Sequence, residues 1–240
     1  VVILESPLSE DLMQSIALEN NLSETAFINI NESPIPIRWF TPTLEVNLCG
    51  HATMASAKIL FEHFPNIAGN EISFNSKSGI LNVTKNAEDI CLNFPADDPE
   101  PQEMDALFAE ALGKSPIEIL RGTDDFLAVF ETEQQIQTMN PDFTKLAKIN
   151  SRGVVISAPG NDVDFVSRCF FPQTGVDEDP VTGSAHTMLI PYWAKQLDKI
   201  EFKAHQLSAR GGALDCKLIN DRVLISGKSV IYFEGMISII

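Results

Sequence analysis

Two stretches of this sequence place an acidic residue shortly before a small-residue turn and an apolar run. One is Gly175–Trp193, in which Asp179 precedes Gly183 and Ser184. This pattern predicts a tight polar loop that leads into the N-terminus of a buried helix. The first backbone N–H groups of a helix lack intrahelical partners and carry a positive partial charge, so such an end can hold a carboxylate or phosphate. Asp179 would handle a proton there, or would simply cap the helix.

The second stretch, Glu45–Phe64, repeats this design 134 positions earlier. A Thr-Met pair shared by both stretches sets the offset, which aligns Glu45 with Asp179 and Gly50 with Ser184. Similar segments at a fixed separation indicate two related halves. We therefore expect two lobes whose central helices point their N-termini into one cleft.

Ser23 and Glu24 precede a predicted strand. Partial burial at that place would raise the pKa of the Glu24 carboxyl toward the range that suits a general base. From the residues alone, a solvated turn carboxylate is the commoner role for an isolated glutamate. Ser23 would help to bind a substrate, or would only begin the turn.

Cys49, Gly50 and His51 stand at the predicted start of the first helix. A helix N-terminus disfavours an imidazolium, so we expect a neutral His51 ring that donates or relays a proton; a hydrogen-bonded structural histidine is the alternative. Gly50 would let a ligand approach the backbone closely, or would be present only because the turn requires a glycine. Gly183 and Ser184 would supply N–H and hydroxyl groups from the other helix.

Four segments, in their order and spacing, resemble the successive motifs of the PhzF-like (phenazine biosynthesis isomerase-like) proteins. They are SETAF at 23–27, EVNLCGHAT at 45–53, EDPVTGSAH at 178–186 and LSARGGAL at 207–214. The resemblance covers essentially the whole chain. It implies an α+β fold like that of diaminopimelate epimerase and proline racemase, with two pseudo-symmetric lobes. Each lobe would be a curved, mostly antiparallel β-layer around a central helix.

The resemblance also implies a cofactor-independent isomerase, present as a homodimer, in which Glu24 is the acid/base. It would move a proton between carbons of a small anionic metabolite. The candidate catalytic residues are therefore Glu24, His51 and Asp179, and the candidate substrate-binding residues are Ser23, Gly50, Gly183 and Ser184. A non-catalytic member that binds a metabolite or a partner protein is the alternative function.

A thiol-based racemase is a further alternative, because diaminopimelate epimerase and proline racemase use one thiol in each lobe. Cys49 fits one such position, where a helix N-terminus lowers a thiol pKa. Its counterpart at the 134-residue offset is Gly183, and the 178–185 loop contains no cysteine. We therefore expect Cys49 to be a packing residue. Arg210, before Gly211 and Gly212, would close the cleft or only form a hairpin turn.

The composition and the spacing of certain residues limit the kinds of partner, location and cofactor that we expect. A net charge of −16 opposes binding to nucleic acid or an acidic membrane, and no apolar run has the roughly 20 residues that span a bilayer. The four cysteines are scattered without a CxxC pair, which favours reduced thiols and a cytoplasmic location. No metal-ligand spacing and no nucleotide-binding glycine motif is present, so we expect neither a metal nor a cofactor.

The apolar spacing predicts the elements that must position these residues. We expect a first lobe at 1–100 and a second at 101–240, joined near the Pro-containing segment 97–101. The strand and Asn-Pro loop with which the family usually begins do not precede Val1 in this sequence, so we expect the first lobe to lack them. Helices are predicted between Ser9 and Asn21 and at 52–64, 104–112, 132–139, 141–147 (with Asn140 as cap) and 183–197. Strands are predicted at 27–30, 35–40, 72–75, 80–84, 90–93, 117–121, 126–130, 154–157, 165–171, 202–204, 213–218, 223–226 and 230–233, the last packing on the first lobe.

Overall fold

Strands wrapped around two buried helices form most of the molecule, and the computed structural model describes residues 1–87 and 89–238. The helices are α1 (Glu10–Asn20), α2 (Gly50–His63), α3 (Pro65–Ala68), α4 (Ala106–Leu112), α5 (Glu133–Gln137), α6 (Phe143–Leu146) and α7 (Gly183–Leu197), with a 3₁₀ turn at Pro172–Thr174. The strands are β1 (Val2–Leu4), β2 (Thr25–Asn29), β3 (Ile35–Phe40), β4 (Glu45–Val46), β5 (Glu71–Ser76), β6 (Gly79–Asn86), β7 (Asp89–Pro95), β8 (Glu100–Pro101), β9 (Glu118–Arg121), β10 (Asp125–Val129), β11 (Gly153–Pro159), β12 (Phe165–Phe171), β13 (Val176–Asp179), β14 (Glu201–Gln206), β15 (Gly212–Ile219) and β16 (Arg222–Gly227). The two-lobed α+β architecture expected from the sequence is confirmed.

The first lobe encloses α2. Its strands follow the order β1-β2-β3-β5-β6-β7, with antiparallel pairs except at β1–β2 and β3–β5. Ala57, Leu60 and Phe61 on α2 are buried against β2, β6 and β7. Small alanines near the start of the helix and larger side chains near its end let α2 lie deep within the curved layer. This packing fixes the direction of the helix axis, and with it the position of the helix N-terminus.

The second lobe encloses α7 in the same manner. Its strands follow the order β16-β15-β14-β12-β11-β10-β9-β8, and α7 packs on β10, β15 and β16. Every residue from Ala185 to Trp193 is buried, so this helix is apolar around most of its circumference. The short helices α4, α5 and α6 cover the other side of the sheet over a separate apolar cluster that includes Phe108, Phe130 and Ile136.

One antiparallel ladder connects the two layers. The strand β16, late in the chain, pairs with β7, so that Arg222 lies opposite Pro95 and Ile225 opposite Leu92. The main hydrophobic core likewise runs without a break from Trp39 in the first layer to Trp193 on α7. The lobe boundary near residue 100 stays a proposal.

The ends of most elements agree with the local signals in the sequence. The Ser9 side chain accepts a hydrogen bond from the Leu12 N–H at 3.3 Å and caps α1, and Asn21 closes that helix in the left-handed conformation. Thr132 and Gln135 form a capping box at α5. Because these signals involve neighbours in sequence, they can be interpreted before the tertiary structure is considered.

Three local predictions are wrong. Glu100 and Pro101, expected in a linker, form β8 and pair with β9. The cap of α6 is Asp142 rather than Asn140, because its side chain accepts a hydrogen bond from the Lys145 N–H. Residues 230–233 form no strand and are largely exposed, with Tyr232 98% accessible, and they pair with none of the strands in the described part of the chain.

Within the described residues, no helix combines the length and the apolar character that crossing a bilayer requires.

The homodimer stays a prediction, which is consistent with the exposed edge strands of the sheet. β1 and β8 are the two end strands of the sheet, so each has one edge without a partner strand among the described residues. Unpaired strand edges favour association with another chain. Light scattering at micromolar concentration should therefore give about twice the 26.4 kDa mass of one chain. A mass of one chain at that concentration would contradict the dimer.

Candidate active site

The N-termini of α2 and α7 meet at two glycines. A Cβ atom placed on Gly50 would lie 2.9 Å from the Gly183 Cα atom, and one placed on Gly183 would lie 3.0 Å from the Gly50 Cα atom. Only residues without a Cβ atom permit so close an approach of two backbones. The predicted meeting of the two helix N-termini is confirmed, and residues of both first turns line a shared cavity.

The predicted register between the lobes is wrong by one residue. The helices begin at Gly50 and Gly183, and their N-cap residues are Cys49 and Thr182. The Thr-Met pairs that set the 134-residue offset lie inside the helices, away from this contact. Glu45 is also not the counterpart of Asp179, because it forms ion pairs with Arg38 and Lys77 away from the cavity.

His51 lies between two carboxylates. Its Nε2 atom is 3.1 Å from Glu24 Oε2, and its Nδ1 atom is 3.9 Å from Asp179 Oδ1. The Ser23 hydroxyl lies 3.4 Å from the same Nε2 atom. Glu24 arrives from the turn before β2, His51 from the first turn of α2, and Asp179 from the end of β13. The fold thus brings together the three residues predicted to be catalytic, which their spacing in sequence does not reveal.

The ionisation of the Glu24–His51 pair is opposite to that expected from the sequence. Burial raises the pKa of Glu24, but its hydrogen bond to the His51 ring and the charge of that ring lower the pKa below its ordinary value. Burial lowers the pKa of His51, but Cys49, Glu24 and Asp179 together raise it well above 6.5. Glu24 is therefore a carboxylate and His51 an imidazolium at neutral pH. The helix N-terminus alone predicted a neutral ring, because the two carboxylates could not be placed from sequence.

Asp179 is held by residues on both sides of its loop. Burial raises its pKa to about 6, against the opposing effects of His51 and of the Thr182 hydroxyl, which donates to Oδ2. The buried Gln206 side chain donates to the Asp179 carbonyl oxygen at 2.8 Å and accepts from the Thr182 N–H at 2.7 Å. Ser208 adds a hydrogen bond to the Pro180 carbonyl oxygen. These contacts fix the loop that presents Asp179 and the N-terminus of α7.

Glu24 and His51 line two openings. One opening, here called the inner cavity, is bordered by both helix N-termini and by apolar side chains such as Leu48 and Phe171. The other, here called the outer cavity, includes Arg210. Ser23 lines the outer cavity, whereas Gly50, Gly183 and Ser184 line the inner one. The predicted binding residues are therefore divided between the two faces of the Glu24–His51 pair.

Arg152 is a cavity residue that the sequence did not point to. Its guanidinium donates to both carboxylate oxygens of the buried Asp125 and lies 3.3 Å from the Ser184 hydroxyl. It also lies over the Phe171 ring, 5.4 Å from its centroid, which is close enough for a cation–π contact. Arg152 precedes β11 with no motif around it, and Gln206 is equally unmarked in sequence. Both become recognisable only when distant strands are brought together.

The buried thiol of Cys49 does not resemble a racemase base. Burial raises its pKa to about 11, and His51 lowers it only in part. A thiol of this kind is protonated at neutral pH and is a poor nucleophile or base. The corresponding N-cap on α7 is Thr182, whose hydroxyl is engaged with Asp179. The geometry therefore disfavours the two-thiol alternative.

His186 lies directly behind the active-site loop and should make the stability of the protein depend on pH. It is fully buried, donates from Nδ1 to the Thr182 carbonyl oxygen at 2.8 Å, and burial lowers its pKa from 6.5 to about 4. Between these values the unfolded chain binds a proton that the folded chain excludes. The free energy of unfolding should therefore fall by about 2 kcal/mol between pH 6.5 and pH 4.5 because of this residue.

Urea unfolding at these two pH values measures that effect, with His186→Gln as the variant that cannot titrate. All other groups titrate alike in the two proteins, so the variant should lose less stability than the wild type over the interval. An equal loss in both would mean that His186 is not the group responsible.

Comparisons with known proteins bear on the family and the fold of this chain. The family profile described as phenazine biosynthesis-like protein (PhzC-PhzF) matches residues 1–235. An uncharacterized isomerase of Pseudomonas aeruginosa is 47% identical over 234 residues, which are 98% of this chain and 89% of that protein. A crystal structure of a putative PhzC/PhzF phenazine biosynthesis protein from Clostridium difficile superimposes with a TM-score of 0.90 at 38% identity, over 99% of this chain and 91% of that one.

A more distant structure bears on the fold alone. A probable proline racemase from Agrobacterium radiobacter superimposes with a TM-score of 0.61 at 10% identity, over 96% of this chain and 83% of that one. The expected relation to the two-lobed epimerase and racemase fold is thereby confirmed. Together with the match of the family profile over nearly the full length, these findings show that the chain belongs to the PhzC-PhzF family of phenazine biosynthesis-like proteins.

Proposed function

We propose that this chain is a cofactor-independent isomerase that moves a proton between carbons of a small carboxylate-bearing metabolite. The observation that carries the proposal is the Glu24–His51 pair, 3.1 Å apart, at the cavity into which two helix N-termini point. A carboxylate supplies a base, an imidazolium supplies an acid, and the helix ends stabilise negative charge. The names of the Pseudomonas relative and of its family add support for isomerase chemistry.

In the proposed reaction, Glu24 removes a proton from a carbon next to an unsaturated or carboxylate-bearing centre. The electron pair of the broken C–H bond moves into that centre, where N–H groups near Gly50 and Gly183 hold the developing charge. The protonated Glu24 then returns the proton to a different carbon as the electron pair shifts back. The reaction consumes no other reagent, and the product is an isomer of the substrate.

The remaining residues of the site would hold and orient the substrate. Arg152 and Ser184 lie together at one side of the inner cavity, where a guanidinium and a hydroxyl suit a carboxylate group. The net charge of −16 repels anions at long range, so capture depends on these local donors. Apolar side chains such as Leu48 and Phe171 would contact the carbon skeleton and limit the access of water.

Solvent deuterium tests this proposal on many candidate substrates at once. The protein would be incubated in D₂O with pools of small unsaturated carboxylic acids, and mass spectrometry and NMR would locate any new C–D bond. We expect one chemical class to gain deuterium at carbon with the wild-type protein and not with Glu24→Gln. If an acid binds but no pool gains deuterium, the non-catalytic metabolite-binding alternative replaces the isomerase.

A further inference from the structure

Gln206, the last residue of β14, has both ends of its side-chain amide engaged with the active-site loop. Its Oε1 atom accepts from the Thr182 N–H at 2.7 Å, and its Nε2 atom donates to the Asp179 carbonyl oxygen at 2.8 Å and to the Thr182 hydroxyl at 3.1 Å. The residue is 1% exposed. A backbone N–H can only donate and a backbone carbonyl can only accept, so these two partners fix which end of the amide is oxygen and which is nitrogen.

The direction of the Thr182 hydroxyl follows from that assignment. A hydroxyl has a single proton, and the Nε2 group of Gln206 already approaches its oxygen as a donor. The proton is therefore left for Asp179 Oδ2, to which the hydroxyl donates. Thr182 is the N-cap residue of α7, but its side chain makes no capping hydrogen bond. The hydroxyl thus serves the Asp179 carboxylate rather than the helix.

The two carboxylate oxygens of Asp179 have different surroundings as a result. Oδ2 receives the Thr182 proton, whereas Oδ1 is buried, has no hydrogen-bond donor within the described residues and lies 3.9 Å from His51 Nδ1. That distance is too long for a hydrogen bond, but opposite charges so close together in a buried site still attract each other. The charge of Asp179 therefore favours the imidazolium form of His51, which the proposed function uses as its acid.

We propose that Gln206 is a positioning residue of the active site, which holds the Thr182 hydroxyl with its proton directed at Asp179 and so keeps that carboxylate charged beside His51. Thr182 and Asp179 line the inner cavity, whereas Gln206 is not among the residues that line either cavity. Gln206 therefore acts through Thr182 and not on a substrate. Its role in catalysis rests on the proposed function, but its effect on Asp179 can be measured without a substrate.

Carbon-13 NMR of labelled aspartate carboxyl groups measures the ionisation of Asp179 directly. The resonance is assigned by its loss in Asp179→Asn, and in the wild type it should titrate with a pKa of about 6. Thr182→Val keeps the shape of the side chain and removes the hydroxyl. The pKa of Asp179 should then rise by roughly one to two pH units, which corresponds to the loss of one hydrogen bond to a charged group. Thr182→Ser retains a hydroxyl and should stay near the wild-type value.

Gln206→Met is the decisive variant, because it keeps the length of the side chain and removes the amide. The pKa of Asp179 should rise by less than in Thr182→Val, since the hydroxyl remains but is no longer held in one direction. In a Thr182→Val background, Gln206→Met should add nothing, because the hydroxyl that it orients is absent. The other titratable groups that face Asp179 are unchanged in all these variants; they are Glu24, His51, Cys169 and Arg210.

Ser208→Ala separates orientation of the hydroxyl from general loosening of the loop. It removes the hydrogen bond to the Pro180 carbonyl oxygen without touching Thr182, so the pKa of Asp179 should not change. A rise in Ser208→Ala as large as that in Gln206→Met would overturn the proposal, as would an unchanged pKa in a folded Gln206→Met protein. Circular dichroism checks the fold. If Gln206→Met does not fold, Gln206→Asn takes its place, since its amide is one methylene too short to make all three contacts.

The pH dependence of turnover tests the consequence for catalysis. A carboxylate with a raised pKa becomes protonated at a higher pH, so the acid limb of deuterium incorporation should move to higher pH in Gln206→Met by the amount that NMR shows for Asp179. Turnover should fall at pH 6 and stay near wild type at pH 8. An equal loss at both pH values would overturn the catalytic role. If no isomerase activity is found, the NMR titrations still decide whether Gln206 orients the hydroxyl.

Discussion

Glu24→Gln should lower turnover by about 10²–10⁴-fold, which is the usual contribution of general acid–base catalysis. Gln keeps the size of the side chain and much of its hydrogen bonding with His51 and Ser23, but it has no basic oxygen. Substrate affinity should therefore change little, so that the loss falls on kcat rather than on KM. Steady-state kinetics in parallel with equilibrium binding of the substrate would measure both effects.

Cys49→Ala is the matched control, because it removes the other candidate base from the same cavity. It should cost far less turnover than Glu24→Gln, since the Cys49 thiol is buried and protonated. Deuterium should reach the product carbon with wild type and with Cys49→Ala, and hardly at all with Glu24→Gln. The reverse pattern, with rapid wash-in for the Gln variant and none for the Ala variant, would replace Glu24 by the thiol.

Gly50→Ala should destabilise the protein and impair catalysis together. Its new methyl group would lie 2.9 Å from the Gly183 Cα atom, and backbone on either side cannot move away as a flexible side chain does. Overpacking of this kind costs typically about 1–3 kcal/mol. Displacement of the two helix N-termini by as little as about 1 Å can lower turnover about 10²-fold. Denaturant unfolding and steady-state kinetics would measure the two effects.

Gly227→Ala serves as its control. Gly227 ends β16, and its added methyl group would lie 3.7 Å from the Ala213 carbonyl oxygen and from the flexible Met54 side chain, an ordinary van der Waals distance. Stability and turnover should stay near wild type. Gly183→Ala should resemble Gly50→Ala, and the double variant should cost less than the sum because both strain one contact. Additive losses would show that the two glycines act independently.

The sequence predicted those features that depend on neighbouring residues. The bounds of α7 at Gly183 and Leu197 follow from the apolar run and from the small residues before it, and the Ser9 cap of α1 is a local signal. The candidate catalytic residues were predicted from the motifs that contain them. The structure adds that Glu24, His51 and Asp179 lie together, and no contact of that kind can be read from spacing along the chain.

Features that depend on a distant partner were missed or reversed. The pKa of Glu24 is lowered rather than raised because His51 hydrogen-bonds to it, and a partner outweighs burial here. Arg152 enters the cavity because β11, which it immediately precedes, pairs with β10, the strand that begins at Asp125. Residues 230–233 have the composition of a strand but pair with none of the strands formed by residues 1–87 and 89–238. In each case the outcome was decided by tertiary contacts.

The ladder between β7 and β16 has a consequence for how the protein is made. A ribosome delivers β7, ending at Pro95, long before β16, which begins at Arg222. Until then one edge of the nascent first layer lacks its partner, and an open edge invites pairing with other chains. Vectorial folding of the first layer therefore cannot finish during its own synthesis. The edge of β7 stays open for as long as the ribosome takes to add the residues between Pro95 and Arg222.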